Sequence, residues 1–292
     1  MRITVDHRTT YRYDTRPRRV MQLLRLTPVG FEGQTVGDWS IDLNCDAALI
    51  EKRDAHCNVV HLMTVEDVPE EVVITARGTV DRENTNGVVA GLDEMLPPLV
   101  YLQDSELTRA NAKICAFAED VIGNRTDPLE RAHALLAGLY DHMTFSPGTT
   151  DVTTTAADAF DRGTGVCQDL SHLFCATARA ASIPARYVSG HLYRQDGQND
   201  QEAAHAWAEA WVDGLGWVSF DPAHGISTDE HYVRLAVGMD YLQAAPVVGT
   251  RAGGGMETLT VAASTRAVPL RNAQSQSQIG GGGFRRQSQQ QQ

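Results

Sequence analysis

The sequence lacks any apolar run long enough to cross a membrane. A membrane-spanning helix needs roughly 18 consecutive apolar residues, and polar or charged residues interrupt every stretch of the 292-residue chain well before that length. The N-terminus reaches Arg2, Asp6 and Arg8 before an apolar segment could form, so nothing there resembles a secretory signal. We therefore expect a cytoplasmic protein without a membrane partner.

Cysteine is sparse, and its spacing suits neither a metal site nor a disulfide framework. The five cysteines are odd in number, widely scattered and without a Cys-x-x-Cys pair. They are Cys45, Cys57, Cys115, Cys167 and Cys175. The zinc motif His-Glu-x-x-His is also missing. The sequence thus predicts reduced thiols, no metal site and no cofactor.

Basic residues are too few to balance the acidic ones. The net charge is −12, whereas nucleic acids and anionic membranes are bound by clustered cations. Several arginines near the N-terminus follow the two-residue period of a strand, which is typical of a solvated sheet face. We therefore expect no nucleic-acid partner.

The periodicity of apolar residues divides the chain into four segments. Residues 1–88 alternate apolar and polar in short runs, which predicts an antiparallel β-sandwich-like domain. Residues 89–104 contain paired prolines and are interpreted as a linker. Residues 105–268 combine helical periods with later strands, which predicts an α+β domain. Residues 269–292 form a low-complexity tail rich in glutamine and glycine, and we expect it to be disordered.

Capping signals predict the helices of the α+β domain. Ser105 can cap a helix that runs to about Val121, and Asp127 before a proline opens a helix that runs to about Met143. A short helix follows, and then a longer one that starts at Cys167. The strands predicted after these helices cover residues 185–192, 205–212, 217–220, 232–237 and 258–263.

Cys167 is the first candidate for catalysis. A glycine-bearing turn over residues 163–166 delivers it to the start of a helix, on the same apolar stripe as Leu170. Free backbone N–H groups and the positive end of the helix dipole favour a thiolate at that place. Taken alone, Cys167 would be an ordinary buried thiol, because cysteine is among the most buried residue types. The nucleophile interpretation therefore depends on partners elsewhere in the sequence.

A strictly alternating strand supplies a candidate base. Residues 203–211 send His205 and two tryptophans to one face and alanines to the other, and we expect the tryptophans to pack between helix and sheet. A turn then leads into a second strand that reaches Asp221. An odd number of loop residues would place Asp221 on the face of His205, and an even number on the opposite face unless a bulge intervenes.

Four stretches of the sequence carry a family resemblance. They are Gly165–Leu173, Ile183–Gly190, Ala204–Trp207 and Gly216–Pro222. Together they resemble the bacterial transglutaminase-like cysteine protease family, and the resemblance extends upstream through residues 1–88 and downstream to about residue 255. It implies a papain-like α+β core preceded by the N-terminal β-domain of that family.

The resemblance also implies the role of each candidate residue. Cys167 corresponds to the nucleophile, His205 to the general base and acid, and Asp221 to the residue that orients His205. The implied substrate is a peptide or protein, whose peptide or isopeptide amide is attacked to give a thioester. We favour hydrolysis by water; transglutaminase-type transfer to an amine and a non-catalytic peptide-binding module are the alternatives. The Cys167 N–H is the expected first oxyanion donor, and the residues do not identify a second.

Overall fold

Antiparallel strands form the N-terminal part of the chain. The computed structural model describes residues 1–197, 200–201 and 204–268, so the tail predicted over residues 269–292 lies outside the described residues. The first strands are β1 (Arg2–Tyr13), β2 (Arg19–Thr27), β3 (Gln34–Leu43), β4 (Ala48–Arg53), β5 (Val59–Val65) and β6 (Glu71–Arg82). Their pairings are all antiparallel, which confirms the prediction of antiparallel sheets in this region.

A short 3₁₀-helix over Pro98–Leu102 lies in the segment predicted as a linker. The α-helices are α1 (Ala112–Ile122), α2 (Pro128–His142), α3 (Ala156–Arg162), α4 (Cys167–Ala180) and α5 (Tyr241–Ala244). Among the described residues, nine further strands lie between β6 and α5. They are β7 (Val88–Val89), β8 (Thr144–Phe145), β9 (Thr164–Gly165), β10 (Ala185–Leu192), β11 (Asp200–Gln201), β12 (His205–Val212), β13 (Gly216–Asp221), β14 (Ile226–Ser227) and β15 (Tyr232–Gly238). None of the described helices has the length and hydrophobicity that spanning a membrane requires.

The last two strands return to the N-terminal sheets. β16 (Val247–Ala252) pairs with β2, and β17 (Glu257–Val268) pairs with β1 along its whole length. The resulting sheets have the strand orders β11-β17-β1-β6-β3 and β16-β2-β5-β4. The sequence analysis grouped the strand at residues 258–263 with the helical part, whereas its hydrogen bonds join it to β1. Local periodicity identifies a strand but does not identify its partner.

Apolar side chains from both N-terminal sheets form one core. Leu24 and Leu26 of β2 and Met63 of β5 are fully buried against Val72 and Ile74 of β6. Stacked sheets bury their facing side chains in this way, while the alternate residues stay outside. The N-terminal part is therefore a sandwich, to which β16 and β17 each add a strand.

Besides the two N-terminal sheets there is a six-stranded sheet, called the second sheet because most of its strands come from the second half of the chain. It has the order β14-β13-β12-β10-β15, with β7 paired to β13, and α4 packs on it. The alanines of β12 face α4, where Ala208 lies in one core with Leu173 and Phe174. The tryptophans lie on the opposite face, with Trp207 packed against Tyr232. This corrects the expectation that tryptophans fill the space between helix and sheet. Alternation assigns residues to two faces, and the small alanines leave room for the helix to lie close.

The helix starts differ from prediction at one place. Asp127 caps α2 as predicted, accepting a hydrogen bond from the Glu130 N–H at 2.9 Å. Ser105 does not cap α1; Asn111 does, accepting from the Ile114 N–H at 3.0 Å. Asparagine caps a helix as well as serine does, and α1 begins after Asn111, the later of these two possible caps.

Candidate active site

Cys167 is the first residue of α4 and is half-buried. Val166 before it is extended, with φ −106° and ψ −179°, so the chain turns into the helix at the thiol. The Ser171 hydroxyl donates to the Cys167 carbonyl at 2.7 Å and fixes this first turn. Cys167 thus lies at the start of the helix, as the sequence predicts, where the first N–H groups have no acceptor within the helix.

A buried carboxylate holds the turn before Cys167. Oδ2 of Asp169 accepts hydrogen bonds from the Val166 N–H at 2.8 Å and from the Thr150 hydroxyl at 2.7 Å. Burial raises the pKa of Asp169, and these two hydrogen bonds oppose that rise. A Cβ at Gly165 would lie 2.7 Å from Cβ of Asp169. Glycine therefore allows the turn to approach α4 this closely.

The β12–β13 hairpin determines where Asp221 lies. Val212 pairs with Gly216, which leaves a loop of three residues, 213–215. This odd number places Asp221 on the face of His205, in agreement with the condition set by the sequence. His205 Nε2 donates to Asp221 Oδ2 at 2.7 Å. The structure thus brings the predicted histidine and aspartate into direct contact.

Asp221 is fully buried and accepts further hydrogen bonds. The Tyr232 hydroxyl and the His224 Nδ1–H each donate to Oδ2 at 2.8 Å, and the Ala223 N–H donates to Oδ1 at 2.9 Å. The sequence analysis identified neither Tyr232 nor His224. His224 follows Asp221 in the same turn and could have been noticed, whereas Tyr232 arrives from β15, for which the local sequence gives no signal.

The electrostatics of the pair favour an ionised histidine. Burial lowers the pKa of His205, but the Asp221 carboxylate and the Cys167 thiol outweigh it and raise this pKa to about 10. Burial likewise opposes ionisation of Asp221, yet its hydrogen bonds and charge interactions with His205 and His224 hold its pKa well below the ordinary value. Cys167 lines the same cavity as His205 and contributes to the raised pKa of the His205 ring.

A cavity of about 270 Å³ opens beside Cys167 and His205. Its lining includes Tyr187 of β10, together with His7 of β1 and Val261 of β17. The sequence analysis assigned nothing catalytic to residues 1–88. The sequence did contain one indication: among the inward-facing residues of β1, the polar residues His7 and Thr9 follow apolar ones. In the structure both are buried and hydrogen-bonded to each other. The two N-terminal sheets therefore do more than support the second sheet.

Two families match this chain, in an order that agrees with the fold. Residues 3–81 match the bacterial transglutaminase-like N-terminal region, and residues 115–222 match the transglutaminase-like superfamily. The second match contains Cys167, His205 and Asp221. The two matches together identify a transglutaminase-like core over residues 115–222, preceded by a bacterial transglutaminase-like N-terminal region over residues 3–81.

Relatives of this transglutaminase-like chain cover it to different extents. An uncharacterised protein of Mycobacterium leprae is 28% identical over an alignment of 278 residues, and the alignment covers 89% of this chain and 96% of the relative. A Pseudomonas aeruginosa protein named protein-glutamine gamma-glutamyltransferase is 32% identical over an alignment of 152 residues, but the alignment covers only 44% of this chain and 22% of that protein. The second likeness thus concerns only a part of each protein.

A solved structure shares the transglutaminase-like fold over almost the whole chain. The structure of a candidate cysteine protease from Cytophaga hutchinsonii superposes with a TM-score of 0.73 at 20% identity, covering 93% of this chain and 92% of that one. Identity at this level supports the fold alone. The fold confirmed is the α+β core with antiparallel N-terminal sheets.

Proposed function

We propose that the chain is an enzyme that cleaves peptide or isopeptide amides through a thioester on Cys167. One observation carries the proposal: His205 lines the same cavity as Cys167, and its Nε2 is hydrogen-bonded at 2.7 Å to the buried carboxylate of Asp221. A nucleophile, a base and a residue that orients the base are the parts that acyl transfer needs.

The first half of the reaction forms the thioester. The Cys167 thiolate attacks the carbonyl carbon, and the Cys167 N–H at the start of α4 donates to the developing oxyanion. When the carbon–nitrogen bond breaks, the His205 imidazolium gives its proton to the leaving amine. Asp221 keeps the ring oriented and stabilises its charge throughout.

The second half returns the enzyme to its starting state. His205, now neutral, takes a proton from water, and the resulting hydroxide attacks the thioester carbonyl. The carbon–sulfur bond breaks and the carboxylic acid leaves. Cys167 departs as the thiolate, with the proton retained on His205. Water and amide are consumed, and acid and amine are formed, so the cycle balances.

Transfer to an amine is the second candidate reaction. It is favoured by the partial likeness to a protein named protein-glutamine gamma-glutamyltransferase. In that case an amine, in place of water, attacks the same thioester. The two reactions share every step up to the thioester, so only the product distinguishes them.

Product masses test both candidates. The protein is incubated with a peptide library, with and without a primary amine, and the products are read by mass spectrometry; we expect free acids in both samples. Amine adducts that replace the acids would favour transfer. The control is Cys167→Ser, which keeps a small polar residue at the helix start and is expected to lose essentially all turnover because a hydroxyl ionises far less than a thiol. If Cys167→Ser retains turnover, or if neither product forms with the wild type, the proposed function is wrong.

A further inference from the structure

The cavity beside Cys167 is lined by uncharged groups. Apart from the Cys167–His205 pair, no described side chain that lines it is an aspartate, glutamate, lysine or arginine. His7 is buried, and its burial lowers its pKa to about 4, so it is neutral at neutral pH. A charged group that entered this cavity would find no opposite charge on its described walls except the reacting pair.

One wall of the cavity comes from the N-terminal sheet. His7, Thr9 and Tyr11 of β1 and Leu259 and Val261 of β17 line it. Thr9 and Val261 are paired across the two strands, so the two side chains lie next to each other on the same face. Residues far from Cys167 in sequence thus determine the shape and polarity of the space beside it.

The cavity also contains hydrogen-bonding groups without partners. Among the described residues, nothing hydrogen-bonds to the hydroxyl of Tyr187 or of Tyr241, both of which line the cavity. Nδ1 of His7 is likewise buried without a partner. A tyrosine hydroxyl can both donate and accept a hydrogen bond, so these two hydroxyls can bind a neutral polar group of a substrate.

We propose that this cavity binds the side chain of the residue whose carbonyl Cys167 attacks, and that it accepts uncharged side chains and rejects charged ones. The inference rests on the proposed amide cleavage and adds the class of substrate to it. An uncharged side chain can use the apolar part of the lining and the two hydroxyls together. A carboxylate, guanidinium or ammonium group would lose its water without gaining a counter-charge.

Matched peptides test the preference. One peptide sequence is prepared in four versions, with methionine, citrulline, glutamate or arginine as the residue whose carbonyl Cys167 attacks. Citrulline and arginine have the same length and differ in charge. We expect kcat/KM to be at least roughly 100-fold higher for the two uncharged side chains, since an unpaired buried charge weakens binding by several factors of ten. Similar kcat/KM values for citrulline and arginine would overturn the inference.

A charge placed on the wall tests the location. Val261→Lys adds a cation to the cavity, while Ala262→Lys adds the same cation to the outer face of the same strand, because alternate residues point to opposite faces. We expect Val261→Lys to raise the kcat/KM ratio of glutamate to methionine peptides at least roughly tenfold. Ala262→Lys should leave this ratio unchanged. Equal ratios in the two variants would overturn the inference.

If Val261→Lys does not fold, a second pair of variants, which changes the size of the side chain and not its charge, tests the location. Val261→Phe narrows the cavity and should reduce kcat/KM for citrulline more than for alanine at the same position, whereas Ala262→Phe should reduce neither.

Binding is measured separately, by the protection that each peptide gives Cys167 against iodoacetamide. Protection by uncharged peptides without any turnover would refute the proposed function and support the inference. Turnover or protection that is indifferent to charge would refute the inference and leave the proposed function standing.

Discussion

At the scale of single residues, Asp221 is the most constrained group of the candidate site. A carboxylate oxygen that is fully buried must be paired or hydrogen-bonded to stay ionised. Oδ2 of Asp221 accepts from His205, His224 and Tyr232 at 2.7–2.8 Å. A mere turn residue before Pro222 would not need three donors on one oxygen. The arrangement agrees better with an orienting role toward His205.

Asp221→Asn tests that role. The carboxamide keeps the shape but removes the charge that raises the pKa of His205, so we expect this pKa to fall. The alkaline limb of the kcat/KM profile should therefore move to lower pH. The same exchange in a serine-protease triad lowers kcat about 10⁴-fold. Here we expect a loss of about 10²-fold to 10⁴-fold, measured on a cleaved peptide, because the imidazolium is partly formed before reaction.

Tyr232→Phe is the matched control for Asp221→Asn. It removes one hydrogen bond to Oδ2 and leaves the charge in place, so kcat should fall less and the alkaline limb should move less. Urea denaturation of both variants measures any loss of stability. Wild-type kcat in Asp221→Asn, accompanied by lower stability, would make Asp221 a structural turn residue and the site a Cys167–His205 dyad.

At the scale of elements, the β9–α4 turn places the nucleophile. A parallel pairing of β9 with β8 holds the strand side of the turn, and Asp169 holds the helix side. Glycine is favoured at positions 165 and 163 for different physical reasons. Gly165 lacks space for a Cβ beside Asp169, whereas Gly163 has open space but a left-handed φ of 68°. Only the first of them is part of the contact that positions Cys167.

Substituting these glycines separates position from stability. Gly165→Ala should reduce stability by about 1–3 kcal/mol through steric overlap, and should also reduce kcat/KM because the turn must shift away from α4. Gly163→Ala should reduce stability by about 1–2 kcal/mol through backbone strain and leave kcat/KM near the wild-type value. Urea denaturation and peptide cleavage give the two readouts. If both variants lose the same fraction of kcat/KM, the Asp169 contact is not what positions Cys167.

The same elements show how far sequence reasoning reaches. The alternation of side chains along a strand identified β10 and β12. The number of loop residues in the β12–β13 hairpin, odd or even, decided on which face of the sheet Asp221 lies, and in the structure it lies on the face of His205. Alternation could not tell that the alanines of β12, and not its tryptophans, face α4. The contribution of β1 and β17 to the cavity depends on how the sheets pack together, which no local pattern encodes. Tyr232 was missed for the same reason.

At the scale of the whole molecule, side-chain amides join the N-terminal sheets to the second sheet. The Gln34 amide donates to the Arg234 carbonyl and accepts from its N–H, both at 2.9 Å. Asn58 makes the same pair of bonds to Val237, at 2.7 and 2.8 Å. Both partners lie in β15, at the end of its sheet. An edge strand exposes unpaired backbone groups, and here the neighbouring sheets satisfy some of them.

Two buried histidines occupy the same junction. His7 of β1 and His191 of β10 have ring centroids 5.4 Å apart. Burial lowers the pKa of His7 to about 4, and burial together with His7 lowers that of His191 to about 3. Each ring has a buried nitrogen without a hydrogen-bond partner among the described residues. No carboxylate is hydrogen-bonded to either ring within the described part of the chain, so protonation there would leave an uncompensated charge between the sheets.

The junction should make the protein sensitive to acid. An unfolded histidine takes up a proton near pH 6.5, whereas these two remain neutral in the folded state until about pH 4 or below. The unfolded state therefore gains protons first as the pH falls, and the free energy of unfolding decreases between pH 6.5 and 4. At pH 5 the loss is about 2 kcal/mol for each histidine. Urea denaturation of wild type and His7→Gln at pH 7 and pH 5 measures this loss: the difference in the free energy of unfolding between the two pH values should be smaller in the variant by about 2 kcal/mol. The control is His133→Gln, at an exposed residue of α2, and there the difference should equal that of the wild type. An equal pH difference in wild type and His7→Gln would mean that groups elsewhere cause the acid sensitivity.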